Sequence, residues 1–323
     1  MISVIMAAYN ASEFIAQAIE SILNQTYREF EFIIVDDGST DNTLEIAKRY
    51  AEKDSRVRVI QSSHIGMSAV RNLGVSESKY PWIAIMDADD IALPEKFEKQ
   101  IKAIQENPKV VGWSTYVYHI NTRNEILSFS KWGITSEEEF YNARAEGHLP
   151  GFCVPTLVLN KEAFLKAGGY NPKYTHGEDL DLSDRMSQYG PILTVPEPLL
   201  LFRVHSKSAS MTGFFHHKLM TTYLVDRHRK RLAGIKEELT FEEFVEQNRK
   251  EPALKRLQTY IYELGMFFYR KSGLLYGEKQ YLPSVFYLTL ATILSPQYSL
   301  RRVWNQVLSP ESRKRIQQAA KAT

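Results

Sequence analysis

FEFIIVDDGSTDNTLEIAKRYAEK, residues 30–53, holds the pattern that decides the fold. Phe30–Val35 is a β-branched and aromatic run of strand length. Asp36-Asp37-Gly38-Ser39-Thr40 has turn chemistry. Asp41–Lys53 then carries apolar residues at helical spacing, with Asp41 placed to cap it. The same strand-then-helix unit recurs on either side. Ser3–Ala8 is followed by helical Ser12–Leu23, and Val57–Ile60 by helical Gly66–Ser76, after which Trp82–Met86 is a fourth strand. Such alternation predicts a parallel sheet with helices on both faces. Ligands of these sheets bind beyond the carboxyl ends of the strands, so chemistry is expected just after Ala8, Val35, Ile60 and Met86.

Further along, the pattern turns mixed. Pro94–Glu106, Ser136–Ala145 and Gly177–Tyr189 read as helices, whereas Val110–Ile120, Ile126–Phe129, Thr156–Leu159 and Ile192–Val204 read as extended chain. Beyond Ser206 the pattern is mainly helical, with breaks near Gly234 and at Ser295-Pro296. The net charge of +2 over 323 residues hides an asymmetry: residues 1–205 hold 20 Lys/Arg against 28 Asp/Glu, and residues 206–323 hold 20 against 10. An acidic front and a basic back suggest two regions with different tasks. The single cysteine, Cys153, excludes an intramolecular disulfide and a multi-cysteine zinc site, and it fits a reducing compartment. MISVIMAAYN has no basic n-region, so no secretory leader is expected. The longest apolar run, Tyr281–Leu294, is short of the roughly 20 residues that cross a bilayer. A cytoplasmic protein follows, soluble or peripheral to the inner face of the plasma membrane.

Three constellations carry chemistry. After the first strand stands Ala8-Tyr9-Asn10-Ala11, without the glycines of a dinucleotide fold or the Gly-Lys-Ser/Thr of a phosphate loop. After the second, Asp36-Asp37-Gly38 offers a carboxylate to a base or ribose, although a turn alone also explains it. The fourth strand ends Asp87-Ala88-Asp89-Asp90. Three carboxylates in four residues repel one another, and a divalent cation would offset that; hard oxygen ligands suit Mg²⁺ or Mn²⁺. The bland alternative is a solvated turn with Asp90 capping the next helix. His176-Gly177-Glu178-Asp179 is a helix start at which acidic residues are favoured by the dipole, and it gains weight only beside the other two.

Taken in order, SVIMAAYNA, IIVDDGSTDNT, GMSAVRNLG, WIAIMDADDIALPEKF, VPTLVLNKEAFLKAGGY, HGEDLDL and FRVHSKSAS resemble the inverting glycosyltransferase family 2 over about residues 1–205. The resemblance implies a GT-A (Rossmann-like) α/β fold, with a mixed sheet flanked by helices and a mainly α-helical C-terminal region after it. The catalytic domain would span 1–205, with a nucleotide-sugar half at about 1–93 and an acceptor half at about 94–205; residues 206–323 would be the basic helical region. It also carries roles. Ala8, Tyr9 and Asp37 would hold the nucleoside, with Arg71 and Asn72 lining the same pocket. Asp87-Ala88-Asp89 would hold Mn²⁺ or Mg²⁺ on the donor diphosphate, Asp89 as the more direct ligand and His205 as a further metal or phosphate contact. Asp179 would be the catalytic base, with Glu178 beside it.

The implied reaction moves one sugar from a nucleoside-diphosphate sugar, most commonly a UDP-sugar in this family, to an acceptor hydroxyl in a single inverting displacement. A positioned carboxylate takes the hydroxyl proton, and a cation stabilises the leaving diphosphate. The Gln-x-x-Arg-Trp of processive synthases is missing, and Asp184-Arg185-Met186 follows the base instead. One or a few additions are therefore expected, on a glycan or lipid-linked glycan acceptor of cell-surface polysaccharide or lipopolysaccharide. Residues 112–155, with Trp113, Trp132 and His148, would shape the acceptor side. The competing readings are a nucleotidyltransferase, which would want a glycine- and basic-rich phosphate loop, and a catalytically inactive nucleotide-sugar-binding partner. Nucleic acid is not expected as a partner, since the basic helices carry no recognisable nucleic-acid motif. An apolar Tyr281–Leu294 beside Arg301, Arg302, Arg313, Lys314 and Arg315 suits an anionic membrane surface.

Overall fold

The structure is a computed structural model that describes residues 1–149, 151–206, 208–235 and 239–322. The chain divides into two compact units: Met1–Val117 with Lys131–Phe202, and Tyr118–Ser130 with Arg203–Thr323. The segment Tyr118–Ser130 lies inside the expected acceptor half but joins the helical unit.

The first unit opens with β1 (Ile2–Ala8), α1 (Ile15–Leu23), β2 (Phe30–Asp36), α2 (Thr43–Lys53), β3 (Val57–Gln61), α3 (Met67–Ser76) and β4 (Trp82–Asp87). β1 and β2 are buried at every residue, as strands covered on both faces must be, and hence read as continuous apolar runs rather than alternating ones. The helices bury one stripe each: Ile15, Ala18, Ile19 and Ile22 of α1 keep the spacing of a single helical face. α3 lies so close to the sheet that a Cβ on Gly74 would collide with the Ile5 side chain. β3, β2, β1 and β4 pair in parallel, as the alternation predicts. Their register sets Ala8 beside Asp36 and Ala7 beside Asp87, so the chemistry-bearing ends finish at one level.

After β4 comes a short strand, β5 (Ile91–Ala92), then α4 (Lys96–Glu106). Asp90 therefore leads into a strand, and α4 begins after Glu95 instead. β6 (Gly112–Ile120), β7 (Ile126–Ser130), α5 (Glu137–Ala145), β8 (Val158–Asn160), α6 (Lys161–Lys166), α7 (Glu178–Met186) and β9 (Ile192–Arg203) follow. The sheet order is β3-β2-β1-β4-β8-β6-β9-β5, with β7 on β6. β8 runs antiparallel to β4 and to β6, which makes the sheet mixed. The expected strand from Thr156 begins two residues later, because Val154–Thr156 is a 3₁₀ turn. Trp113 is buried in the core and offers no sugar platform.

The second unit holds α8 (Ala209–Thr212), α9 (Phe214–Leu232), α10 (Phe241–Arg249), α11 (Ala253–Gly277), α12 (Tyr281–Leu294), α13 (Pro296–Val303) and α14 (Pro310–Ala322). α9 ends just before Gly234, and α12 and α13 meet at Ser295-Pro296, where breaks were expected. α11 and α12 form a tight antiparallel pair. Small residues allow it: Ser284 Oγ donates to the Ser272 carbonyl at 2.9 Å, and a Cβ on Gly265 would strike Ser295. The hairpin of β6 and β7 is fastened to the end of α11, where the Gly277 carbonyl accepts from Asn121 at 2.8 Å and Arg123 at 2.9 Å. Among the described residues, no helix is long and apolar enough to cross a membrane.

Candidate active site

Three segments of the first unit converge on one guanidinium. Arg71, on α3, is buried at 4% exposure. Its Nη2 donates to Asp87 Oδ1 at 2.8 Å, and its Nη1 to Glu178 Oε1 at 3.0 Å. The Tyr170 ring lies 5.5 Å from it. The end of β4 and the start of α7 are thus tied together across the sheet's carboxyl edge. A buried cation requires counter-charge, and these carboxylates hold the Arg71 pKa above its ordinary value against burial, which lowers it.

The carboxylates are crowded in return. Burial pushes the Asp87 pKa up and Arg71 pulls it back, while Asp89 and Asp179 raise it again. Burial raises Glu178 to about 7, with Asp179 adding to the rise and Arg71 opposing it. Asp87, Asp89, Glu178 and Asp179 therefore share one electrostatic environment. Asp87 is anchored by Arg71, whereas Asp89 stands half-buried on the following turn. Gly177 enters α7 with φ of 72°, a left-handed turn that glycine adopts freely, and no side chain caps the helix.

At the other end of the edge, Asp37 holds a loop. Its Oδ1 accepts from Ser62 Oγ and the Ile65 N–H, both at 2.7 Å, and its Oδ2 accepts from the Gly66 N–H at 2.9 Å. The loop places His64 against Tyr9, with ring centroids 4.4 Å apart. Tyr9 is 46% exposed, so an aromatic surface faces outward directly after β1. Ala8 and Ala88 are buried. Asn72 is occupied structurally: its amide donates to the Tyr170 carbonyl at 2.8 Å and accepts from the Tyr170 N–H at 2.9 Å. It thereby positions the ring beside Arg71.

Arg71, Asp87 and Glu178 are thus in direct contact, with Asp89 and Asp179 acting on them. His205 belongs to the second unit, where its N–H donates to Ser208 Oγ at 3.2 Å. Sequence reasoning missed His64, Tyr170 and Lys96. His64 follows β3, a place where chemistry was expected, so position alone could have found it. Lys96 has no such signal: the side chain is wholly buried and its Nζ donates to the Pro155 carbonyl at 2.8 Å. Burial drives its pKa down to about 7, against the pull of Cys153, Asp90 and Asp87. Cys153 is buried and its thiol is pushed well up by burial, which leaves it inert.

Among the described residues, no three His, Cys, Asp or Glu side chains form a cluster able to hold a metal by themselves. The donor set still fits a hard cation shared with a ligand. Mg²⁺ and similar ions are commonly held by one or two carboxylates together with substrate phosphates. Asp87 and Asp89 are such a pair, and their mutual repulsion would be relieved by it.

Comparisons with known proteins identify the fold and the family. The solved structure of S. aureus TarS 1–349 in complex with UDP-GlcNAc matches with a TM-score of 0.56 at 18% identity, over 90% of this chain and 91% of that one. The mannosyltransferase PcManGT from Pyrobaculum calidifontis, in complex with GDP-Man and Mn²⁺, matches with a TM-score of 0.53 at 16% identity, over 94% and 78%. These likenesses show the GT-A fold. In sequence, the O-antigen biosynthesis glycosyltransferase WbnJ of Escherichia coli is 34% identical over 242 residues, 72% of this chain and 90% of its own. An uncharacterized glycosyltransferase of Methanocaldococcus jannaschii, MJ1057, is 32% identical over 71% of this chain and 80% of its own. The family model described as Glycosyl transferase family 2 matches residues 3–168, and the chain belongs to that family of inverting, GT-A glycosyltransferases.

Proposed function

We propose that this glycosyltransferase moves a single sugar from a UDP-sugar to a hydroxyl of a glycan or lipid-linked glycan in cell-surface polysaccharide or lipopolysaccharide synthesis. The bridge from Arg71 to Asp87 and Glu178 carries the reading, because it sets the strand end that would meet the diphosphate beside the helix start that would meet the acceptor. Asp179 takes the acceptor proton as the oxygen attacks the anomeric carbon. Glu178 and Arg71 hold the start of α7 in place. Tyr9 and the loop gripped by Asp37 receive the nucleoside, with Arg71 and Asn72 fixing the wall behind it. Asp89 and Asp87 would hold Mn²⁺ or Mg²⁺. A cation there supplies Lewis-acid neutralisation of the charge that builds on the departing diphosphate. The relative named for O-antigen synthesis and the structures with UDP-GlcNAc and GDP-Man support the donor and acceptor classes.

Thermal shift with a panel of nucleotide sugars tests this. A UDP-sugar with Mn²⁺ at about 100 times its Kd should stabilise by about 2.7 kcal/mol. Chelator should abolish that gain and Asp89→Ala should weaken it. Stabilisation by UDP-sugar that is indifferent to chelator would remove the metal from the proposal, and a preference for another nucleotide would remove uridine.

The second unit supports peripheral attachment to an anionic, cytoplasmic membrane face. On α12, Leu282 is 86% and Ile293 69% exposed, with Tyr281, Val285 and Phe286 also outside. Of the five basic residues that follow, Arg301, Arg313 and Lys314 are exposed. Arg302 and Arg315 lie over Tyr298 and Phe129 instead. Apolar insertion and about 1 kcal/mol per engaged basic side chain add together at such a surface. Co-sedimentation with phosphatidylglycerol vesicles should fall with salt and in Arg301→Glu/Lys314→Glu. Equal recovery with neutral vesicles would exclude the electrostatic part.

A further inference from the structure

α12 covers only part of α11. Their contacts run along the two helices in step. Tyr276 meets Tyr281 with ring centroids 5.7 Å apart, Ser284 Oγ donates to the Ser272 carbonyl, and Phe268 lies 5.4 Å from Tyr287. The series ends at Gly265, which abuts Leu294 and Ser295 where α12 stops. α11 continues, since it has 25 residues to the 14 of α12. Counting back from Gly265 by three or four, the same face carries Ile261, Leu257 and Leu254. These are 37%, 53% and 68% exposed, rising with distance from α12. The sides of the overhang are occupied: Tyr260 stacks on Phe215 of α9 at 5.9 Å, and Tyr262 lies edge-on to Tyr298 of α13 at 6.4 Å. A braced helix thus extends the α12 seam for roughly three more turns, about 16 Å, with its apolar line exposed.

We propose that this overhang is a self-association surface, on which α11 of a second copy of the chain lies antiparallel across a two-fold axis. The line continues a seam already shaped for a helix, so a helix is what fits it. It is narrow and uncharged: Leu254, Leu257, Gln258 and Ile261 form it, while Lys255, Arg256 and Glu263 fall elsewhere around the helix. Two copies therefore meet there without like-charge repulsion. A two-fold contact also requires a surface complementary to itself. Antiparallel pairing centred on Leu257 and Gln258 sets Leu254 of each chain against Ile261 of the other. The Gln258 amides, each both donor and acceptor, bond across the axis. Three turns against three bury less than the roughly 1,600 Å² of a standard stable interface, so the dimer forms reversibly, with a Kd in about the micromolar range.

Sedimentation of the full chain tests this. The mass should rise from 37.2 kDa toward twice that value as concentration passes through roughly 1–100 µM. Leu257→Glu should weaken the association at least about tenfold. The position is exposed in the single chain, so thermal unfolding of that variant at low concentration should match the parent. A second variant needs no loss of affinity: Leu257→Cys should be joined to its own copy by a short bismaleimide. Thr259→Cys, on the far side of the helix, should not, and the buried Cys153 leaves the parent as a blank. A parent that stays monomeric at every concentration, or a dimer that survives Leu257→Glu, would overturn the proposal. A monomeric parent whose Leu257→Glu variant loses binding to phosphatidylglycerol vesicles would give the face to lipid instead.

Discussion

The two units differ in how they treat apolar surface. In the first, Arg71 lies between Asp87 and Glu178, carboxylates from distant parts of the chain, and β1, β2 and the inner face of α1 are buried in one core. In the second, Leu282, Val285, Phe286, Ile293 and Trp304 face outward. A unit that closes its sheet between helices is a rigid frame for a reaction. One that turns a row of large apolar side chains outward is built to meet something else.

The largest expected effect is on the catalytic side of this contrast. Asp179→Asn keeps the shape of the α7 start but cannot accept a proton, so turnover should fall by roughly 10²–10⁴-fold. Donor affinity should stay within a small factor, since Asp87, Asp89 and Tyr9 are untouched. Steady-state transfer beside donor titration reads both, and near-normal transfer would take Asp179 out of the mechanism. Next in size is Arg71→Gln. It leaves Asp87 and Glu178 without their buried partner, and breaking one side of such a pair costs about 3–5 kcal/mol. Chemical denaturation should show a loss near the lower end, because Glu178 can neutralise itself by taking a proton.

Glu178 supplies a smaller, pH-resolved test. Its pKa is raised from the ordinary 4.5 to about 7 in the folded protein. Between those values the folded state holds more protons than the unfolded one, so stability must fall as pH rises through that window. Glu178→Gln should remove the slope, and the difference between the two stability–pH curves should be on the order of 1 to 3 kcal/mol. Parallel curves would mean that Glu178 ionises normally despite its burial.

How much of this was legible in the sequence depended on the range of the interaction. β1, β2 and β4 were readable because continuous apolar runs declare strands buried on both faces, and α1 to α3 because their stripes are local. The Asp87–Asp90 cluster stood out by charge density alone. What escaped was long-range or small. β5 has two residues, too few to show a period, and α6 has six. Lys96 sits in the string EKFEKQ, which looks like a solvated helix face, and only the Pro155 carbonyl, far along the chain, explains its burial. The Arg71–Glu178 pair spans 107 positions. The transfer of Tyr118–Ser130 to the helical unit rests on Gly277 accepting from Asn121 and Arg123, which no local pattern announces.

The smallest effects sharpen the comparison by opposing signs, through a pair of glycine-to-alanine changes. Gly74 sits on α3 where a Cβ would run into the Ile5 and Val35 side chains, both in strands buried on every side. Neither strand can retreat without disturbing the register that brings Ala8, Asp36 and Asp87 to one level, so Gly74→Ala should cost about 1–3 kcal/mol as an overpacking strain. Gly273 sits within α11, and a Cβ there meets nothing within 4 Å. Its backbone is already helical, so alanine adds no clash and removes conformational freedom from the unfolded chain. Gly273→Ala should therefore stabilise by about 0.5–1 kcal/mol. Equilibrium denaturation of the two variants beside the parent protein reads both signs. A neutral Gly74→Ala would show that the first unit has slack beneath its active edge. A destabilising Gly273→Ala would show that the face of α11 around this residue is already covered in solution, and the contrast between a closed frame and an open one would then fail on its second half.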